Sequence, residues 1–287
     1  MKANKMRKWY KYYICDSKQN NSNDTQESSF EYHEQIMGGY HSTEHYNDKN
    51  SFFKYYYNGR YISWHTFISK RINNQNNIFS IASGRAITEL KLIDEGHQIT
   101  CSDLNIPNAA KQSKALFPDL EYIRFNILTD QFKKEYDSII CLSLIYTFDD
   151  EELDTFFSQV KTGLKKNSTL LLDSSGATDN LLTYLLHDVL LKYETYMIYL
   201  ILRLIGRKRF VHKFQSGYRR TSKEIIRMAN KHNLVLKRQE NYEFLHDLQR
   251  SRIILFILKQ FPFTKKFFTK IGEKIPYVRM FELIKID

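Results

Sequence analysis

The chain has 287 residues, of which 42% are hydrophobic and 15% aromatic, so it can form a sizeable core without disulfides. Its three cysteines are too few and too scattered for a disulfide framework or a zinc site. The basic N-terminus has no apolar stretch of signal-peptide length, so we expect a cytoplasmic protein with reduced thiols.

The net charge of +11 is distributed unevenly along the chain. Residues 181–287 carry 22 Lys and Arg against 9 Asp and Glu, whereas residues 1–180 carry 21 against 23. A basic C-terminal part predicts an anionic partner, which could be a membrane face, a phosphorylated substrate or nucleic acid. A solvated basic surface without a partner is the alternative explanation.

Residues 1–76 are predicted to form a flexible N-terminal segment followed by a helical lid. The polar residues 17–29 lack periodicity, which is typical of a linker. Short helices are expected within residues 51–70, because apolar side chains recur there at roughly helical spacing. The side chains expected to face the main domain are Ile62, Trp64, Phe67 and Ile68.

From Asn77 onward the chain alternates between strand and helix patterns. The predicted strands are 78–83, 97–103, 121–127, 136–145, 168–175, 233–239 and 277–287. The predicted helices are 86–96, 106–117, 149–164 and 222–232, the last with Thr221 or Ser222 as its N-cap. Regular alternation predicts a parallel sheet with helices on both faces, interrupted by helical insertions at about 178–212 and 244–276.

The insertion at residues 181–206 is strongly apolar but also contains five ionisable side chains. A spanning helix needs about 20 residues with few or no charges. The segment is therefore interpreted as an amphipathic helix that forms a lid or rests on a bilayer face. A second apolar and basic stretch at residues 252–272 is a candidate for the same kind of membrane contact.

The most informative stretch is IFSIASGRAITELKLIDEGHQITCSDLN, which begins at Ile78. It reads as a strand, a tight turn at Gly84, a helix, a second strand and then Asp103, which follows the glycine by 19 residues. In nucleotide-binding α/β folds, such a turn lets the backbone approach the ligand, and such an acid accepts hydrogen bonds from ribose hydroxyls.

At these residues the chain resembles the class I S-adenosylmethionine (SAM)-dependent methyltransferases. The resemblance covers residues 77–176 and returns at 214–240 and in the last strand. It implies a Rossmann-like α/β fold with a mostly parallel seven-stranded sheet, helices on both faces and an antiparallel last strand. It also implies SAM as the cofactor, bound by residues 77–287.

The family's motifs map onto this chain with several departures. The three alternate glycine positions are occupied by Ala82, Gly84 and Ala86, and the acid common in the first strand is replaced by Ser80. The adenine-side acid corresponds to Asn126. By resemblance, the cofactor-binding residues are Ala82, Ser83, Gly84, Asp103, Leu104, Asn126, Ile127, Leu144 and Tyr146.

The acceptor side is less well defined by the sequence, which shows no catalytic triad and no metal-ligand spacing. His212 and His41 are the candidate general bases, since the unperturbed pKa of histidine lies near neutrality. The Arg219–Arg220 pair could hold an anionic group of the substrate, beside Tyr218. We expect a small-molecule or sugar-type acceptor and O-methylation.

Two other functions remain open at this level. An RNA methyltransferase would explain basic residues interleaved with aromatics. A non-catalytic scaffold associated with a membrane surface would explain the altered glycine motif. An NAD-dependent dehydrogenase is disfavoured, because the fuller G-x-G-x-x-G pattern is missing.

Overall fold

The computed structural model describes residues 45–72, 77–175, 220–242, 252–274 and 278–286, with isolated positions between 185 and 205. At its centre is one seven-stranded sheet with the strand order β3-β2-β1-β4-β5-β7-β6. Neighbouring strands from β3 through β5 are parallel, whereas β7 is antiparallel to both β5 and β6. The predicted mostly parallel sheet with an antiparallel last strand is thus confirmed.

The strands are β1 Ile78–Ile81, β2 Ile99–Asp103, β3 Glu121–Arg124, β4 Tyr136–Cys141, β5 Leu164–Ser175, β6 Leu234–Tyr242 and β7 Val278–Lys285. The helices are α1 Lys49–Tyr56, α2 Arg60–Ser69, α3 Ile87–Asp94, α4 Asn108–Leu116, α5 Asp150–Gly163, α6 Ser222–Asn230, α7 Arg252–Gln260 and α8 Thr264–Lys274. Thr221 is the N-cap of α6, and it forms a capping box with Glu224.

Two hydrophobic clusters cover the two faces of the sheet. On one face, side chains of α1, α2 and α3 pack on alternate residues of the strands, including Ile78 and Ile140. On the other face, α5 and α6 pack on Phe79, Ile139 and Phe281. Because successive side chains of a strand point to opposite faces, β1 and β4 contribute to both clusters. All residues of β1 are buried, and so are those of β4 except the partly buried Asp137.

The helices before β1 are part of this core. Trp64, Phe67 and Ile68 are buried as the periodicity predicted, but Ile62 is 46% exposed, so its predicted packing is wrong. The reason is geometric: Ile62 lies two residues before Trp64, about 200° away around the helix, and therefore faces solvent. The description of residues 1–76 as a flexible segment and a lid stays a prediction.

One further departure lies between α5 and β5. The sequence predicts a helix that ends at 164 and a strand that starts at 168, with a turn between them, but β5 begins at Leu164. The pairing of β5 with β4 runs from Tyr136 with Leu164 to Ser138 with Thr169, so β5 holds three extra residues. Asn167 adopts a left-handed conformation within this irregularity (φ 62°), so the turn lies inside the strand.

Candidate functional site

The turn after β1 adopts a glycine-type conformation although two of its residues are alanines. Ala82, Gly84 and Ala86 have φ values of 53°, 53° and 56°, all in the left-handed region. L-residues other than Gly, Asn and Asp rarely adopt this region, and strain of this kind concentrates at functional sites. All three positions thus have a backbone conformation that glycine adopts without strain.

Ser83 ties this turn to the neighbouring strand. Its backbone N–H donates to the carbonyl of Ser102 (2.8 Å), and its hydroxyl donates to the carbonyl of Ser80 (3.2 Å). The Ser83 Oγ also accepts from the N–H of Ser102 (3.3 Å). Ser83 therefore shapes the turn with its side chain.

Asp103 lies at the carboxyl end of β2, beside the Gly84 turn. One of its carboxylate oxygens accepts from the N–H of Gly84 (3.0 Å), and the other accepts from the N–H of Leu104 (2.8 Å). Tyr122 on β3 donates its hydroxyl to the carbonyl of Gly84 (2.9 Å). The acid and the turn that were paired from the sequence are in direct contact, and β3 supports the turn from the far side.

The space beside Gly84 is open in the described part of the chain. A Cβ added to Gly84 would meet no heavy atom within 4 Å beyond its chain neighbours. The turn lies at the carboxyl end of β1, where the strand order reverses between β1 and β4. Open α/β sheets bind their ligands at such a switch point.

A buried carboxyl group under the turn was missed by the sequence reasoning. Glu89 on α3 is 3% exposed, and its Oε1 accepts from the hydroxyl of Ser80 (2.6 Å). Burial raises the pKa of Glu89, because the charged form is poorly solvated there. Ser80 occupies the position where the family has an acid, so α3 supplies a carboxyl group at the same point.

The loop after β3 contains the predicted adenine-side residues. The side-chain oxygen of Asn126 accepts from the N–H of Leu128 (3.0 Å), while the backbone N–H of Asn126 donates to Asp130 (2.8 Å). Ile127 is 4% exposed and packs in the core with Phe125. Asn126 thus organises its own loop, and Ile127 anchors that loop to the sheet.

The loop after β4 is held near its start by a buried acid. Asp173 on β5 is 1% exposed and accepts from the N–H of Ser143, whose φ is 53°. Burial and the Asp173 carboxylate raise the pKa of the Cys141 thiol well above its usual value, so Cys141 is not poised as a nucleophile. The half-buried Leu144 and Tyr146 follow in this loop.

Arg220 fastens the far end of the same loop. Its guanidinium donates to the carbonyls of Ile145 (3.3 Å) and Phe148 (2.8 Å) and forms an ion pair with Asp150 (2.8 Å). Arg279 on β7 in turn donates to the carbonyl of Arg220 (2.8 Å). The predicted role of Arg220 in anion binding is therefore corrected: its side chain is buried among loop carbonyls, not presented to a substrate.

The structure brings most of the predicted cofactor residues to one edge of the sheet. The turn of Ala82, Ser83 and Gly84 touches Asp103, and the loops with Asn126 and Leu144 follow neighbouring strands at the same edge. Four predicted acceptor-side residues lie outside the described residues: His41, His212, Tyr218 and Arg219. Sequence reasoning missed Glu89, Tyr122 and Asp173, which no local pattern distinguishes from ordinary helix and strand residues.

Comparisons with known proteins relate the chain to one fold. Neither a protein-family model nor a curated protein matches it. Among solved structures, it is similar to the Burkholderia thailandensis 1,6-didemethyltoxoflavin-N1-methyltransferase (TM-score 0.54, 8% identity, 91% of this chain and 90% of that one). A Pyrococcus horikoshii protein has a TM-score of 0.53 at 12% identity, over 89% of this chain and 98% of that one.

A SAM-dependent methyltransferase from Clostridium acetobutylicum is similar over 91% of this chain and 99% of that one, with a TM-score of 0.50 and 12% identity. These similarities extend over nearly the whole length of each neighbour. The chain therefore has the fold of the class I SAM-dependent methyltransferases.

Proposed function

We propose that the protein is a SAM-dependent methyltransferase that acts on a small-molecule or sugar-type acceptor. The observation that carries the proposal is the contact between the Asp103 carboxylate and the left-handed Gly84 turn, at the switch point of the sheet. Both groups lie where this fold holds the nucleoside of its ligand.

The residues present fit the nucleoside part of SAM. The Asp103 carboxylate, which accepts from the backbone N–H groups of Gly84 and Leu104, is an acceptor-only group of the kind that ribose hydroxyls donate to. The space beside Gly84 is open, so backbone and ligand can come close. The half-buried side chains of Leu104 and Leu144 offer apolar surface at the same edge for an adenine ring.

SAM, when bound, would supply a methyl group attached to a sulfonium. As the acceptor oxygen bonds to this methyl group, the carbon–sulfur bond would break and the sulfur would leave as a neutral thioether. The chain's main task would be to hold the acceptor in line with this group. A fixed loop serves that task, and the loop bearing Leu144 and Tyr146 is held by Asp173 at one end and Arg220 at the other.

The identities of the acceptor and of the general base are also proposals. A hydroxyl acceptor loses a proton on methylation, and His212 or His41 would take it. Arg219 and Tyr218 would hold the acceptor, and the net charge of the chain suits an anionic one. The Burkholderia thailandensis methyltransferase was solved with 1,6-didemethyltoxoflavin and S-adenosylhomocysteine bound, which supports a small-molecule acceptor here.

The proposed place of action is the cytoplasm, at or near the inner face of a membrane. Cys101 and Cys141 are buried free thiols, which is typical of proteins from reducing compartments. Among the described residues, no helix combines the length and the apolar character needed to cross a membrane.

Isothermal titration with SAM tests the proposal. The wild-type chain should bind SAM, and Asp103→Ala should weaken binding by about 1–3 kcal/mol, the cost of losing hydrogen bonds to a charged acceptor. Asp137→Ala is the matched control, because Asp137 lies at the opposite end of the sheet, where it pairs with Lys165 (2.7 Å). Its dissociation constant for SAM should match that of the wild type.

Two results would contradict the proposal in different ways. No heat from the wild type at high micromolar SAM would favour the scaffold alternative. Equal affinity of Asp103→Ala and wild type would remove Asp103 from the site. Mass spectrometry of small molecules that co-purify with the chain gives an independent readout, since SAM or its demethylated product should be present.

A further inference from the structure

The exposed apolar side chains of this protein are concentrated in two segments outside the sheet. Of the fifteen large apolar side chains exposed in the described part of the chain, ten lie at positions 185–205 and 253–267. Two of them are almost fully accessible: Leu204 is 86% exposed and Phe263 is 75% exposed. Clusters of this kind mark interaction surfaces, whereas single exposed apolar residues do not.

The α7–α8 segment, residues 252–274, carries one half of this surface. Ile254 is buried and attaches α7 to the protein, whereas Ile253 and Phe256 are exposed on the same helix. Between the helices, Phe261 and Phe263 form an edge-to-face pair with ring centroids 6.0 Å apart. Phe267 on α8 is also exposed, so the segment presents aromatic side chains along its length.

The other half lies on a neighbouring helical stretch. Met197, Ile201 and Leu204 are helical and exposed, and their spacing of four and three residues places them on one helix face. Glu194, one turn earlier, accepts from the backbone N–H of Ile253 (3.4 Å), so this face begins beside the start of α7. The two sets of apolar side chains therefore belong to one region.

The charge around these side chains is strongly positive. The α7–α8 segment contains six Lys and Arg and a single acid, Glu273. Lys259, Lys265, Lys266 and Lys270 are all exposed, and they alternate along the chain with the exposed phenylalanines. Exposed apolar side chains flanked by lysines are the composition of helices that lie in the interface of an anionic bilayer.

Other occupants fit this surface less well. A second copy of the chain would bring the same set of lysines against itself, and like charges repel. Single-stranded RNA would use lysines and aromatic rings but would leave aliphatic side chains such as Ile201, Leu204 and Ile253 without bases to stack on. A bilayer satisfies both the aliphatic and the aromatic side chains as well as the charge.

We propose that the α7–α8 segment and the adjacent helix face around Ile201 dock the protein on the surface of an anionic phospholipid membrane. The nine residues of α7 extend about 14 Å, about half the thickness of the hydrocarbon layer, so this helix lies along the interface. The phenylalanines enter the headgroup layer, and the lysines bind anionic headgroups. The site would thereby meet acceptors that are embedded in or attached to a membrane.

Cosedimentation of the full chain with vesicles tests this docking, without SAM. Phosphatidylcholine vesicles containing phosphatidylserine should bind the protein. Pure phosphatidylcholine vesicles should bind it with an affinity that is lower by a factor of about ten or more. Raising ionic strength from about 0.1 M to about 1 M shortens the Debye length from about 10 Å to about 3 Å and should release most of the protein.

Matched variants test whether vesicle binding depends on this surface or only on the overall charge and hydrophobicity of the protein. Lys265→Glu with Lys266→Glu should lower vesicle binding about tenfold, whereas the same reversal at Lys133 and Lys134 should lower it much less. Phe263→Ser with Phe267→Ser should lower vesicle binding by a similar factor. The control Ile62→Ser, which removes an exposed apolar side chain on α2, should lower it much less. Circular dichroism should show that every variant retains the wild-type fold.

Four outcomes would overturn the docking proposal. The wild type could fail to cosediment with either vesicle, or the two pairs of charge variants could bind equally. A concentration-dependent dimer that the phenylalanine variants abolish would assign the surface to a second copy. A gel shift with single-stranded RNA in the absence of vesicle binding would assign it to nucleic acid. Since SAM is absent, none of these outcomes bears on SAM binding.

Discussion

Replacing the alanines of the β1 turn by glycine tests whether this turn is left-handed in solution. Ala82 and Ala86 have φ values of 53° and 56°, and an L-residue in this region pays about 1–2 kcal/mol that glycine does not. Glycine also loses more backbone entropy on folding, by about 0.4–1 kcal/mol. The backbone contribution of each substitution is therefore a net stabilisation of about 0.5–1 kcal/mol.

The two alanines differ in how deeply they are buried. Ala86 is 1% exposed in the core, and removing its buried methyl group costs about 0.8 kcal/mol, which cancels the backbone gain. Ala82 is only partly buried and loses less. We therefore expect Ala82→Gly to raise the free energy of unfolding by about 0.5 kcal/mol or more and Ala86→Gly to leave it nearly unchanged.

Urea denaturation at a fixed pH measures these differences directly. Ala115→Gly is the control, because Ala115 is an exposed residue of α4 in the ordinary right-handed conformation. There, glycine should lower the free energy of unfolding by about 0.5–1 kcal/mol. If Ala82→Gly destabilised the protein as much as Ala115→Gly, the left-handed turn, and with it the argument for a retained glycine motif, would be refuted.

Two further predictions concern the groups that hold the site. Arg220→Lys should lower the free energy of unfolding by about 1–3 kcal/mol in urea denaturation, because one ammonium cannot replace the guanidinium bonds to two carbonyls. Asp150→Ala, which removes only the 60%-exposed partner, should cost less than about 1 kcal/mol, and an equal loss would contradict the loop-anchoring role. Glu89→Gln should raise the midpoint temperature of unfolding at pH 8. The pKa of Glu89 is raised in the folded state, so the wild type loses stability as the pH rises from about 4.3, the unperturbed pKa of glutamate, toward that raised value. The difference should vanish below about pH 4, and a constant difference across pH would contradict the assignment.

The sheet was accessible to sequence reasoning because its signals are local. The alternation of strand and helix patterns predicted every strand of the sheet, and the spacing from Gly84 to Asp103 predicted that both belong to one site. What the sequence could not show depends on partners that are distant along the chain. Arg220 binds carbonyls more than 70 residues away, and nothing near it distinguishes a buried arginine from a solvated one.

The altered glycine motif shows why backbone geometry is a better guide to a binding site than the residue pattern of a motif. A glycine motif works through backbone conformation, and Ala82 and Ala86 keep that conformation at a cost in strain. The first-strand acid is absent from the sequence position, yet Glu89 places a carboxyl group against Ser80 from the adjacent helix. Strain and a buried carboxyl group both destabilise a fold. The nucleoside site proposed above would account for their presence around the turn that Asp103 contacts.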